Sequence, residues 1–347
     1  MAGGGGERFW PLSRKTTPKQ LLNLSGKDIM VNEAVARLSR VCALENIFIV
    51  TNATQSETMR SATQKYLTAN QILSEPAARN TAACIGYAAM KLYKTYGDGI
   101  MVVTPSDAYI KDEGIFAEIL KTAIKAAEET DSLVTVGITP TFPATGYGYI
   151  RVEKSEKNVK RSLGFVEKPD LERAKKYLES GEYVWNSGMF IWKVSTVLQE
   201  FKEHAPDIYQ LLEQIGEKIG TAEESKAIEE MYPLIRSVSV DYAIMEKAQN
   251  ILVVPGEFGW SDVGSWDMLS ALHESDEHGN IIVGEHFGLD TTNTVIYSKD
   301  KPIATIGLDN LVIVETPDVL LVCAKDRAQD VKKIVEILRK KEKEELL

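Results

Sequence analysis

The chain has 347 residues, 44% hydrophobic and 26% charged, which is enough to build two domains, or one large domain with an appendage. That composition excludes a disordered, collagen-like or disulfide-stapled chain. Forty Lys and Arg against fifty Asp and Glu leave a net charge of −10, which repels phosphate backbones and anionic lipid and argues against nucleic acid or membrane as partner.

Apolar runs and amphipathic stretches alternate through the first half. The pattern predicts strands over 46–51, 71–74, 99–104 and 133–139, with helices over 29–41, 54–68, 80–96 and 114–130 between them. That alternation is the mark of an α/β fold whose parallel sheet is covered by helices. From 145 to 192 the segments are strand-rich with short turns, continuing the same domain as a mixed sheet, and helical periods follow over 194–230 and 240–249. After a short helix beyond Trp266, residues 281–325 offer brief strands punctuated by Gly, Asn and Asp, read as a small β appendage. The last residues, 326–347, are helical in period, and DVKKIVEILRK carries an apolar stripe that needs a surface to dock on.

Cys42, Cys84 and Cys323 form no C-x-x-C, so the chain offers neither a disulfide framework nor a thiolate metal site, and a reducing cytoplasm fits. The N-terminus runs directly into glycines without the basic flank and apolar core of a signal peptide, so export by that route is not expected, and no apolar run approaches the ~20 residues that span a bilayer.

Three groups of residues carry chemistry. The opening AGGGGERFWPLSR sets Gly3 to Gly6 ahead of Arg8 and Arg14, and glycines let backbone N–H groups converge on a phosphate. The segment departs from G-x-G-x-x-G because Phe9 stands where the third glycine belongs, and from G-x-x-x-x-G-K-[ST] as well; a loose glycine terminus is the alternative. Lys19, stiffened by Pro18, adds a cation of the kind a polyphosphate requires. Asp107 and Asp262 each follow an apolar run, where ligands gather in open α/β sheets. Two carboxylates meeting there suit Mg²⁺, whereas the four histidines show no H-x-x-x-H spacing for zinc; a turn or helix cap is the alternative for each Asp. TGYGYI (145–150), EKP (167–169) and WNSGMF (185–190) suit a hydroxyl-rich ligand, with Glu167 as acceptor, Asn186 as donor and acceptor, and Lys168 for a phosphate. They also read as tight turns with Tyr147, Tyr149 and Trp185 as packing. EPAARNTA (75–82) follows a strand and allows base contacts, or is a loop in which Asn80 or Thr81 caps the next helix.

In this order, GGGGERFWPLSR, TPKQ, EPAARNTA, TPSDAYI, TGYGYI, EKP, WNSGMF, SVDYAIMEK and GWSDVGSW resemble the mannose-1-phosphate guanylyltransferases, a branch of the sugar-1-phosphate nucleotidyltransferase superfamily, over nearly the whole chain. FWPLSR, RNTA and FGWSDVGSW narrow the resemblance to that branch. It implies an α/β, Rossmann-like nucleotidyltransferase domain over 1–275 with a mixed, mostly parallel sheet, then a short left-handed β-helix segment with a terminal helix over 276–347. Longer relatives append a phosphomannose isomerase domain, so a monofunctional enzyme is expected.

Carried over, the resemblance puts the GTP phosphates on Gly3, Gly4, Gly5 and Gly6 with Arg8 and Lys19, and the guanosine near Glu75, Arg79, Asn80 and Thr81. Mannose 1-phosphate would meet Gly146, Tyr147, Glu167, Lys168 and Asn186, and Asp107 and Asp262 would hold Mg²⁺. The implied reaction is in-line attack by the sugar phosphate on the α-phosphorus of GTP, giving GDP-mannose and pyrophosphate.

Two departures bear on this. The family's histidine after the first aspartate is Ala108 here. The family also carries an apolar strand immediately before the glycine loop, whereas Met1 comes first here; the strand's slot is expected to be empty, its neighbours unpaired and the loop without its anchor, as in a chain whose natural start lies upstream. A homodimer is expected from the family and the terminal apolar stripe, although the stripe could equally dock on its own chain. The alternative functions are another sugar-1-phosphate nucleotidyltransferase, or a catalytically silent subunit that senses a nucleotide sugar.

Overall fold

The computed structural model describes residues 1–347. Helix α1 (Met30–Leu38) precedes strand β1 (Ile49–Asn52), helix α2 (Ala53–Thr63) and strand β2 (Ile72–Glu75), which pairs with β1 in parallel. Asn52 both ends β1 and starts α2, because its side chain accepts from the Gln55 N–H at 3.0 Å. Next come α3 (Asn80–Tyr96), β3 (Ile100–Val103), the two-residue β4 (Tyr109–Ile110), α4 (Glu113–Glu129, capped by Asp112) and β5 (Leu133–Ile138). The middle of the chain gives β6 (Tyr149–Val152), β7 (Lys160–Val166), α5 (Leu171–Ser180) and β8 (Tyr183–Lys193).

The helical period over 194–230 divides into α6 (Val194–His204), α7 (Pro206–Gly216) and α8 (Glu224–Met231). Pro206 lacks an N–H and pushes Ala205 out of the helical region, so the chain breaks there and restarts with proline in the first turn. Over 240–249 only one wide helical turn forms, Asp241–Met245. Strands β9 (Ile251–Gly256) and β10 (Trp260–Ser261) complete this part.

The central sheet runs β3-β8-β5-β9-β7-β6. Strand β8 is antiparallel to both of its neighbours β3 and β5, which therefore share a direction, and β5 pairs with β9 in parallel. Strand β7 is in turn antiparallel to β9 and β6, so β7 and β8 run against β3, β5, β9 and β6. The sheet is mixed as expected but not mostly parallel, because β8 returns between β3 and β5 and the β6–β7 hairpin joins beyond β9, which leaves β5–β9 as its one parallel pairing. Helices α3, α6 and α7 cover one face around Phe190, Trp192 and Phe201, and α4 covers the other around Phe116, Trp185 and Phe258. Each fully buried side chain of this size contributes about 1.5–3 kcal/mol.

Between β1 and β3 one strand position is empty. Only its carboxyl end is bridged: Ala2 N–H donates to the Val50 carbonyl (2.8 Å), the Met1 ammonium donates to the Thr104 carbonyl (2.8 Å), and the Met1 carbonyl accepts from Ser106 N–H (3.1 Å). Beyond this bridge lies a cleft of about 450 Å³ lined mainly by apolar side chains, Phe48, Val50, Ile85, Ile100 and Val102 among them. Peptide groups alternate sides along a strand, so with Val50 and Thr104 turned into the slot, Phe48, Ile100 and Val102 turn their N–H and C=O groups into it too, without backbone partners. The slot and its unpaired edges are as expected. The loss of the loop's anchor is not, because Met1 and Ala2 hold it to both neighbours.

The appendage is a β-helix with two walls. Strands β11 (Ile281–Val283) and β12 (His286–Leu289) form the first coil, β13 (Val295–Tyr297) and β14 (Ile303–Ile306) the second, and β15 (Leu311–Glu315) the third, while β16 (Leu320–Ala324) pairs antiparallel with β15. Ile281, Val295 and Val312 stack rung on rung and are buried. The corners fall at Asp290, Asn293 and Asn310 with positive φ, a conformation their short polar side chains tolerate, which explains the punctuation seen in the sequence.

Helix α9 (Val331–Lys340) follows. Its stripe buries Val331 and Val335 in one cluster with Phe9, Trp10 and Trp266, so it docks on its own chain and lends no support to a dimer. No helix is long and apolar enough to cross a membrane.

Candidate active site

The glycine loop is fastened from behind. Gln20 donates to the carbonyls of Ala2 (2.7 Å) and Gly4 (3.1 Å), Thr51 to that of Ala2 (2.9 Å) and Ser13 to that of Gly6 (2.8 Å). With the carbonyls held away from the cleft, the N–H groups of Gly3, Gly4, Gly5 and Gly6 have no protein acceptor. Such a row of free donors is a ready anion cradle. Gly6 has φ +63, and a Cβ there would stand 2.3 Å from Lys19 Cβ, so only glycine allows the chain to turn beside that lysine.

A two-residue ribbon brings the aspartates together. Strands β4 and β10 pair antiparallel, Ile110 opposite Trp260 and Tyr109 opposite Ser261, which sets Asp107 and Asp262 at the same end of the ribbon. Buried Lys19 ties them: its ammonium donates to the Asp107 carbonyl (2.8 Å), the Asp107 carboxylate (3.1 Å) and the Asp262 carbonyl (2.5 Å). All of its N–H donors are thereby committed within the protein. Tyr147 donates to Asp262 Oδ1 at 2.5 Å and packs edge-on against Trp185 and Trp260. Burial pushes the Asp262 carboxyl above its ordinary pKa and the Asp107 charge adds to the rise, while Tyr147 and Lys19 oppose it.

Asp107 Oδ1 and Asp262 Oδ2 accept no hydrogen bond from the protein, and no group of three or more His, Cys, Asp or Glu side chains is placed to hold a metal ion. The donor set is therefore two carboxylates with room for substrate oxygens and water, which fits a hard divalent cation and not zinc. Ala108 is buried beside them, and its carbonyl accepts from Arg37 (3.2 Å).

On the far side of Asp262, Glu167 pairs with Lys168 (2.8 Å), and Asn186 donates to Asp241 (2.9 Å) while accepting from Thr135 (3.2 Å) and Gly188 N–H (3.2 Å). Gly148 is the glycine this corner needs, since a Cβ there would lie 2.5 Å from the Glu167 carboxylate. A Cβ on Gly146 would meet nothing within 4 Å. Asp241 lies within SVDYAIMEK and joins the site only through the fold, because no local signal shows that the wide turn beginning there faces Asn186.

Burial, together with the Glu167 charge, pushes the Asp241 carboxyl up to about 6. Its folded pKa lies above the unfolded value, so stability falls as pH rises between about 4 and 6, and an unfavourable buried charge of about 3 kcal/mol persists above that window. Asp241→Asn is therefore expected to raise Tm by about 2–4 °C at pH 8, with more than half of the gain lost at pH 4.5, as thermal unfolding at the two pH values will show.

The other flank of the glycine loop is a cleft of about 450 Å³ containing Glu75, Arg79, Asn80 and Thr81. Tyr232 hydrogen-bonds one oxygen of buried Glu75, whose other oxygen faces Gly3, and burial raises its pKa. Arg79 makes no hydrogen bond or ion pair, and its Nε is buried without a partner. Asn80 has positive φ and accepts from Thr81 N–H (2.8 Å), while the Thr81 hydroxyl accepts from Val240 N–H (2.9 Å). A second cleft of about 480 Å³ holds Gly5, Gly6, Arg8, Lys19 and Asp262, and Asp107 and Pro105 line both.

A cradle of free N–H groups beside an aspartate pair, with a polar pocket on either side, defines an enzyme that handles a nucleoside polyphosphate and a second polar substrate. The Nucleotidyl transferase family description matches residues 1–279, and the MannoseP isomerase/GMP-like beta-helix domain matches residues 284–338. The chain is 40% identical to a mannose-1-phosphate guanylyltransferase of Salmonella muenchen over 346 residues (98% of this chain, 72% of that protein), and 38% identical to alginate biosynthesis protein AlgA of Pseudomonas aeruginosa over 353 residues (97% and 71%). A crystal structure described as a mannose-1-phosphate geranyltransferase from Thermus thermophilus superposes with a TM-score of 0.88 at 35% identity, covering 98% of each chain. The chain belongs to the nucleotidyl transferase family, in its mannose-1-phosphate guanylyltransferase branch.

Proposed function

We propose that the chain makes GDP-mannose and pyrophosphate from GTP and mannose 1-phosphate. The observation that carries this reading is the position of Asp107, which lines both the cleft of Glu75 and Arg79 and the cleft of Gly6 and Arg8. A GTP lying along the glycine loop then has its base beside Glu75, its α-phosphate beside Asp107 and its terminal phosphates beside Arg8. The sugar phosphate enters from Gly146, Tyr147, Glu167, Lys168 and Asn186, opposite the leaving group. A phosphate oxygen forms the new bond to the α-phosphorus as the bond to the β-phosphate oxygen breaks, and pyrophosphate leaves toward Arg8. The attacking oxygen is already ionised near pH 7, so no protein nucleophile or base is needed; the chain serves to align two anions and balance their charge.

Asp107 and Asp262 would hold the divalent cation, here taken as Mg²⁺, which when bound neutralises phosphate charge. Tyr147 and Lys19 orient the two carboxylates. The three free cysteines support a cytoplasmic setting.

Base choice falls to Glu75, whose carboxylate matches the N1–H and N2–H donors of guanine. Glu75→Gln puts a donor where an acceptor is needed, so kcat/KM with GTP is expected to fall about 10- to 100-fold, from the loss of a charged hydrogen bond, while KM for mannose 1-phosphate holds. Initial-rate kinetics with each substrate varied in turn test this, and an unchanged kcat/KM for GTP would remove Glu75 from base recognition.

A further inference from the structure

Lys19 spends all of its donors on the aspartates, yet a triphosphate brings more negative charge into this cleft than one divalent cation offsets. Two unpaired cations remain on the cleft wall: Arg8, and Lys332 from the C-terminal helix α9, neither of which has a hydrogen bond or ion pair. Lys332 comes from a part of the chain more than three hundred residues from the glycine loop.

Its position is nevertheless fixed. Its neighbour Val331 and, one turn on, Val335 are buried in the cluster that contains Phe9 and Trp10, the residues directly after Arg8. Arg339 pairs with Glu7, so α9 is fastened to the same turn that presents Arg8. The chain end adds further ties: Trp10 Nε1 and Arg14 each donate to the Leu346 carbonyl at 2.8 Å, and Lys15 N–H donates to that of Leu347 at 3.1 Å. Lys333, the next residue, points elsewhere and pairs with Asp330 (2.8 Å).

We infer that Lys332 is a pyrophosphate-contacting residue, which the β-helix appendage and α9 deliver to the end of the cleft where the terminal phosphates of the nucleotide lie. The inference rests on the guanylyl-transfer reading above. Lys332 lines the cleft of Gly5, Gly6 and Arg8 and not that of Glu75 and Arg79, so it meets the leaving group and not the nucleoside. A lysine suits that role, because its flexible stem carries a point charge that can follow the phosphates as they depart. The appendage thereby takes part in the chemistry of the first domain.

The reverse reaction isolates this contact, because pyrophosphate is then a separate substrate. With GDP-mannose, pyrophosphate and Mg²⁺, Lys332→Ala is expected to raise KM for pyrophosphate about 10-fold or more, to leave KM for GDP-mannose within twofold and Tm unchanged, and Lys332→Arg is expected to restore most of the loss. Lys333→Ala is the surface control and should match the wild type. An unchanged KM for pyrophosphate in Lys332→Ala overturns the inference, and so does an equal rise in both KM values with a lower Tm, the mark of a purely structural role. A wild-type chain silent with GDP-mannose and pyrophosphate overturns the guanylyl-transfer reading itself, a failure visible before any variant is compared.

Discussion

Replacing Lys19 by methionine is expected to lower kcat/KM by about 1,000-fold, equivalent to about 4 kcal/mol of transition-state stabilisation. Methionine keeps most of the buried stem and removes the ammonium, so the loss reports on what the charge holds. That ammonium joins the Asp107 carbonyl and carboxylate to the Asp262 carbonyl. Without it the Asp107 carboxylate loses its ion pair and the Asp262 backbone its tie to Asp107, and the Asp262 carboxyl is already pushed toward its neutral form by burial and by the Asp107 charge. The aspartates then lose their register and part of their charge together. Because the Asp107 side chain is partly exposed, the folding cost is modest, about 1–2 kcal/mol, and thermal unfolding should show a Tm only a few degrees lower. Lys19→Arg does not restore activity, since the planar guanidinium cannot reach three acceptors arranged around one nitrogen beside Gly6. Steady-state kinetics at saturating Mg²⁺ check both variants, and an active Lys19→Met would show that the pair holds itself.

Filling the empty strand position is expected to raise Tm by about 5–10 °C. Five apolar, β-branched residues joined ahead of Met1 reach about 16 Å at the strand rise, enough to run the length of β3. They find peptide groups waiting at Phe48, Ile100 and Val102, and apolar walls at Val50, Ile85 and Ile100. The peptide N–H that then replaces the Met1 ammonium still donates to the Thr104 carbonyl. Each side chain gains about 1.5–3 kcal/mol on burial against about 1–2 kcal/mol of backbone entropy, leaving a few kcal/mol for the strand. The same extension carrying prolines at its inner positions cannot complete the ladder and should give no rise. Thermal unfolding of the two fusions beside the unextended chain decides this; equal Tm values would mean that the cleft does not accept a strand.

Much of this architecture is legible in local pattern. Helices α3 and α4 have continuous apolar faces and appear where their periods place them, and the β appendage declares itself through short apolar runs set between Asn, Asp and Gly corners. The break at Pro206 was equally legible in principle, because a proline inside a helical period ends it. Contacts between distant segments were not. The residue types Asp107 and Asp262 point to a cation, but only the pairing of β4 with β10 brings them side by side. Lys19 reads as a phosphate ligand by its type, and burial between the aspartates instead commits it within the protein. Tyr147 reads as packing or as a sugar contact until its hydroxyl is found on Asp262. For Lys332 no local signal exists, since a lysine on a charged terminal helix looks like any solvated charge until the helix is docked.

Guanylyl transfer to mannose 1-phosphate is read out through its two products. The purified chain, with Mg²⁺, is given each of GTP, ATP, UTP and dTTP with mannose 1-phosphate or glucose 1-phosphate, and pyrophosphate and the nucleotide sugar are quantified together. Pyrophosphate and GDP-mannose are expected in equal amounts from GTP with mannose 1-phosphate, and little from any other pair. Turnover preferring another base or sugar would contradict the assignment of Glu75 and the sugar pocket, and nucleotide-sugar binding without turnover in any pair would contradict the reading of this chain as an enzyme.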